Sequence, residues 1–246
     1  MAKAAKPRHL SRAPITEALI DIRLILPKET RTLVYLEALD AHFGGVYTDR
    51  KNIKEIQYKV QFDRPELDEK TSTQFGFRYT NAENTQVIQA TINGFTFSRL
   101  PPYEDWERLK EEAKRTWAIY SNHVRPETIT RVAVRYINRL VLPGGSVDLD
   151  HYLRYVAKVP KVLPQVLGAY FSRIVVPDQQ GQRTAIITQS SPPNPEEVSP
   201  ILDIDVFMER VFSDEDEVWG AIDQLREFKN QIFFDCITEE TAKLFT

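Results

Sequence analysis

A five-residue signature recurs in this chain. Arg23-Leu24-Ile25-Leu26-Pro27 reads against Arg139-Leu140-Val141-Leu142-Pro143, a displacement of 116 positions (139 minus 23). Trp106 and Trp219, each opening an amphipathic helix behind an acidic turn, stand 113 apart (219 minus 106). Two unrelated markers that agree within three residues point to a duplicated α+β unit of about 115 residues. A duplicated unit implies a pseudo-symmetric scaffold, in which function tends to sit where the copies differ or meet.

The local patterns support the same order twice. Residues 15–26 alternate, with Ala18, Ile20, Ile22 and Leu24 on one side and Glu17, Asp21 and Arg23 on the other, the signature of a half-buried strand. Thr30 is the expected N-cap of a helix through Phe43 that stops at Gly44-Gly45. Three strands follow: one around Ile56, Tyr58, Val60 and Phe62, one around Phe75, Phe77 and Tyr79, and one over 86–98 after a turn at Ala82-Glu83-Asn84. A helix from Tyr103 to about His123 carries Trp106, Leu109, Ala113, Trp117 and Tyr120 as its apolar stripe. The second copy reads as a strand over 128–142, a short helix near 148–157, and strands near 165–177, 182–190 and 200–210. Its final helix starts after an N-cap at Ser213, and Thr238 caps a last turn ending at Phe245. Trp106, Trp117, Trp219, Ile222, Leu225 and Ile232 are expected to be buried.

The expected fold is therefore α+β: a duplicated β-α-β-β-β-α unit forming a mainly antiparallel sheet with helices on one face. The expected organisation is a flexible basic tail over 1–13, a first unit over 14–125 and a second over 126–246, both packed as one compact body. Ser190 to Glu197 is too proline-rich for a strand and is expected to project as a hairpin tip.

Charge and cysteine content remove several function classes. With 32 basic and 35 acidic residues the net charge is −3, so no global field draws the chain to nucleic acid or a membrane. The lone Cys236 excludes an internal disulfide framework and a cysteine-based zinc cluster, and it fits a reducing cytoplasm. No apolar run approaches the roughly 20 residues that span a bilayer. The nine glycines form neither a dinucleotide-binding nor a P-loop spacing. Histidines 9, 42, 123 and 151 are scattered, and neither a zincin pair nor a Ser-His-Asp arrangement is visible. No cofactor, catalytic residue or metal site is expected.

What remains are polar rows on strands. Arg131, Arg135 and Arg139 fall on one face of one strand, neighbours separated by about 13 Å at ~3.3 Å per residue. Such a row binds phosphates or carboxylates, or it pairs with acids on a neighbouring strand. Asp203 and Asp205 are the visible acids for that pairing, and at i, i+2 they are also the weak candidates for sharing a hard cation. Phe95 and Phe97, beside Gln89, Thr91 and Asn93, read either as core or as a stacking platform for bases.

Several segments also carry a resemblance. They are Pro14-Ile15-Thr16-Glu17-Ala18-Leu19-Ile20, Val87-Ile88-Gln89, Arg131 to Asn138, Leu202-Asp203-Ile204-Asp205 and the closing Ile237-Thr238-Glu239. Together they resemble an uncharacterised, sporadically distributed prokaryotic family of roughly 250-residue proteins. The resemblance implies a bacterial or archaeal cytoplasmic protein, and patchy distribution is compatible with defence-associated gene neighbourhoods. It assigns no role to any residue. The leading expectation is a non-enzymatic binding or interaction module in a larger assembly, its partner another protein or a second copy. The alternatives are a nucleic-acid-binding accessory using the arginine row and a metal-dependent hydrolase around Asp203 and Asp205.

Overall fold

In the computed structural model, alternation along the first strand, β1 (Ile15–Ile25), buries Ala18, Ile20, Ile22 and Leu24 completely or nearly so. The structure describes residues 3–61, 64–143, 148–164, 168–191 and 198–246, with backbone alone over 56–71. After β1 come α1 (Leu33–Glu37), α2 (Asp40–Phe43), β2 (Asp49–Gln61), β3 (Arg64–Thr80), β4 (Gln86–Thr91), β5 (Gly94–Arg99) and α3 (Trp106–Val124). The chain continues through β6 (Thr128–Arg139), α4 (Leu149–Tyr152), β7 (Tyr170–Asp178), β8 (Arg183–Ser191), β9 (Ile201–Phe212), α5 (Glu215–Cys236) and α6 (Glu239–Leu244). The described β-ladders are antiparallel, so the class is α+β with a mainly antiparallel sheet.

The chain divides into two compact units, one of residues 21–130 and one of residues 1–20 with 131–246. In the 21–130 unit the strand order is β2-β3-β4-β5-β1. Phe77, Ala90 and Phe95 sit side by side in register, as do Tyr79, Ile88 and Phe97, and all six are buried. That face carries the helices. Trp117 and Tyr120 of α3 meet Phe95 at ring distances of 5.7 and 5.4 Å, and Phe43 of α2 meets Tyr79 at 5.2 Å. Asp105 caps α3 by accepting from the Arg108 amide, and Arg125 closes it in the left-handed region. Phe95 and Phe97 are thus core, and the stacking-platform reading falls.

Two expectations for this unit are corrected. The strand expected over 86–98 is a hairpin, because the chain reverses at Ile92-Asn93 and Thr91 pairs with Gly94. The helix expected from Thr30 to Phe43 is two short pieces, α1 capped by Thr32 rather than Thr30, and α2 after a break at Ala38-Leu39. Ala38 donates to Leu36 in place of continuing the helical ladder.

In the other unit the order is β1-β6-β9-β8-β7. Leu202, Ile204, Val206 and Met208 of β9 and Val132, Val134 and Tyr136 of β6 are buried. Helix α5 lies over this face, with Lys229 above the Tyr136 ring at 3.6 Å and Phe228 beneath the Arg183 guanidinium at 3.9 Å. Its N-cap is Asp214, one residue beyond the expected Ser213, and Ser213 instead donates its amide to Glu217. Trp219, Ile222 and Leu225 are buried as expected, but Ile232 is only half-buried. The short helix expected near 148–157 shrinks to α4, and β7 begins at Tyr170; residues 165–167, where that strand was expected to start, and 192–197 of the proline-rich insert lie outside the described residues.

The basic segment before Pro14 is docked, not frayed. Ala5 donates its amide to Ile237 at 3.2 Å, Arg8 pairs with Glu239 at 2.9 Å, and Arg12 donates to Phe245 at 2.9 Å. Ala5 and Leu10 are buried. Arg8 thus neutralises Glu239, the first acid of α6, a long-range pairing that composition alone does not reveal.

Candidate functional site

The arginine row of β6 meets the aspartates of β9. Arg135 donates from Nε to Asp203 Oδ1 at 2.8 Å and from Nη2 to Oδ2 at 2.6 Å, a bidentate fork. Arg131 stands 3.6 Å from Asp205 and lays its guanidinium over the Phe207 ring at 4.4 Å. The hydrogen bonds that Arg135 donates to Asp203 raise its pKa further above its ordinary value. Arg139, at the strand end, is exposed, and its amide donates to the Pro14 carbonyl at 2.8 Å. Asp203 and Asp205 face Thr188 and Ile186 on β8.

This arrangement decides the chemistry of the row. Two of the three guanidiniums already carry carboxylates, so a phosphate would have to displace a bidentate partner before binding. The same pairing takes both aspartates away from a cation, and the described residues hold no group of three potential metal ligands. Arg135→Ala is expected to lower stability by about 1–2 kcal/mol, because Asp203 keeps a mostly buried carboxylate without its partner. Denaturant unfolding of the single variant and of Arg135→Ala/Asp203→Ala checks this; the double variant should recover part of the loss. Cys236 offers no nucleophile: it is buried, and burial pushes its thiol up to about 12.

A different feature of the 131–246 unit has the form of a binding site. Outside α5, a cleft of about 910 Å³ opens above the helix-bearing side of β7 and β8. Ile174 and Ile187 form its floor, Ile232 and Cys236 of α5 one wall, and the segment from Leu153 to Lys158 after α4 the other. Charges at its margin pair among themselves: Arg154 with Asp235 at 3.1 Å, and Lys158 with Asp150. Gln189, also on the lining, is 6 % exposed.

Beside the cleft runs β7, the last strand in its order. Phe171 is 70 % exposed, Ile174 49 %, Val175 58 % and Val176 44 %. Successive residues of a strand point to opposite faces, so β7 is apolar and open on both. The sequence pattern places the strand but not its exposure. The signal was present in Ile174-Val175-Val176, an apolar run without the polar alternation expected of a half-buried strand.

No protein-family model matches the chain, and no curated protein is significantly similar to it. No helix among the described residues is long and apolar enough to cross a membrane.

Proposed function

We propose that the chain is a protein-interaction module whose partner docks on β7 and the adjoining cleft. The observation that carries this reading is the uncovered apolar inner face of β7. The other unit supplies the contrast. There the segment after the first strand folds as α1 and α2 and buries Leu36, Leu39 and Phe43 on the helix-bearing side of its sheet. In the 131–246 unit the described residues of the corresponding segment contribute the four-residue α4, and Ile174 and Val176 stay open. Apolar surface on an edge strand is a pairing hazard that chains usually blunt with charge or cover, and its retention here supports a use for it.

The shared logic of the two strand orders, in which each meander ends beside the strand that precedes it, supports reading the units as copies of one β-α-β-β-β-α plan. The first has gained a strand by forming the β4–β5 hairpin. On that reading the copies diverged in their crossover segments, one of which covers its own sheet. Non-enzymatic action in a bacterial or archaeal assembly, in line with the family resemblance, is part of the same proposal.

The test is a capture experiment from the native host. The tagged chain should retain a stoichiometric protein partner, and Ile174→Asp with Val176→Asp should lose it while the circular dichroism spectrum stays unchanged. Equal capture by this variant would place the partner on another surface. Light scattering on the purified chain separates a second copy from a foreign partner.

A further inference from the structure

We infer that the partner received at β7 is a second molecule of this chain, whose own β7 pairs antiparallel with the first about a two-fold axis at Ile174. The inference rests on the interaction-module reading above and names that module's partner.

Pro177 fixes which way the backbone of β7 faces. It has no N–H to give, so within a sheet it belongs where its nitrogen points away from the neighbouring strand. Pro177 pairs with Thr184, and the β7–β8 register runs from Tyr170 with Ser191 to Asp178 with Arg183 without a shift. Backbone groups therefore alternate strictly along the strand. Phe171, Arg173 and Val175 share the parity of Pro177, so their N–H and C=O groups turn outward, where no described strand pairs with them. Three donors and four acceptors thus stand open on this edge.

A second β7 meets that pattern. With the axis at Ile174, Arg173 lies opposite Val175 of the second molecule and Phe171 opposite its Pro177, so all three N–H groups of each molecule reach a carbonyl. Ile174 then packs against its own counterpart and Ser172 against Val176, which covers inner-face residues that are 49 % and 44 % exposed at Ile174 and Val176. An axis at Arg173 would instead set two guanidiniums opposite each other. Axes at Ser172 or Val175 would carry one N–H of each molecule past the end of the opposing strand. An axis between two residues would oppose outward-facing backbone to inward-facing backbone. A foreign strand would have to bring the same combination of acceptors and apolar side chains, whereas β7 already carries it at equal stoichiometry. The pairing also closes at two molecules. On β2, the end strand of the 21–130 unit, Arg50, Lys51, Lys54 and Glu55 are exposed, and such charges oppose strand addition. From Phe171 to Pro177, β7 carries the single charge of Arg173. A contact that uses the same edge of both molecules consumes that edge and leaves the charged one.

The experiment uses the full chain, in multi-angle light scattering and in site-specific crosslinking. At micromolar concentration the purified protein should show twice its 28.5 kDa chain mass. Val175→Pro keeps the ladder to β8 but removes an outward N–H from each molecule, and it should raise the dimer dissociation constant by about tenfold or more. Ile174→Cys should form an intermolecular disulfide under mild oxidation, because its Cα atoms face each other across the axis at about 4.5 Å. Ser172→Cys, roughly 13 Å from its counterpart, should not. The wild type, whose one cysteine is the buried Cys236, is the control. A monomer throughout, dimerisation unchanged in Val175→Pro, or a crosslink at Ser172→Cys in place of Ile174→Cys would each overturn the inference. Should Val175→Pro fail to fold, the two cysteine variants still decide the register. If the chain is a monomer and Ile174→Asp with Val176→Asp still loses a captured protein, the module reading stands and only the second molecule is wrong. If that double variant dimerises and captures as the wild type does, both fall.

Discussion

Replacing Lys229 with methionine is expected to stabilise the protein at neutral pH by a few kcal/mol. Lys229 is buried on α5, with its ammonium 3.6 Å from the centre of the Tyr136 ring and no carboxylate paired to it among the described residues. Burial is the main reason its pKa falls from 10.5 to about 7, with the nearby Arg226 charge adding to the effect. The unfolded chain therefore binds more protons than the folded one between about pH 7 and 10.5, so stability rises with pH across that window. Below about 7 both states are protonated and the full penalty, on the order of 4 kcal/mol, is present. The Cys236 thiol, held up to about 12 when folded, acts oppositely once the unfolded thiol ionises near 9. The clean interval is thus pH 7 to 9, where the wild type should gain about 2 kcal/mol and Lys229→Met should gain almost nothing. Urea unfolding at both pH values decides the matter: parallel pH dependence in the two proteins would mean that Lys229 is solvated when folded.

The strands and long helices were legible because their signals are local and periodic. Trp106, Leu109, Ala113, Trp117 and Tyr120 announce one face of α3 through spacing alone, and Asp203 and Asp205 announce the polar face of β9. Their pairing with Arg131 and Arg135 was legible as one of two outcomes, since register decides whether facing charges meet, and register is a property of the assembled sheet. The β4–β5 hairpin escaped because Ile92-Asn93-Gly94 reads as continuing a strand, although the apolar positions change step there, from Ile88 and Ala90 to Phe95 and Phe97. The docked N-terminus escaped for a different reason: its partners, Ile237, Glu239 and Phe245, lie more than 200 residues away. The cleft was the least legible feature. Its walls come from α5 and from the segment after α4, and no local periodicity reports which distant segments flank a pair of strands.

Trp117→Ala is expected to cost about 3–5 kcal/mol, the range for removing a fully buried aromatic residue from a packed core. Trp117 is 1 % exposed and meets Phe95 edge-on at 5.7 Å and Tyr120 at 5.8 Å. Those rings close around it from both sequence directions. Phe95 comes from a strand whose partners Ala90 and Phe77 are themselves buried, and Tyr120 is tied in place by its hydroxyl donating to the Thr91 carbonyl at 2.8 Å. Because the surroundings are anchored on two sides, the structure cannot collapse far into the space an alanine leaves, and the cavity contribution stays large. Trp219, 6 % exposed and the fifth residue of α5, sits near a helix end that can shift, so Trp219→Ala should cost measurably less. Guanidinium unfolding of the two variants compares them directly. A Trp117→Ala cost below that of Trp219→Ala would show that α3 repacks around Phe95 more freely than its two anchors allow.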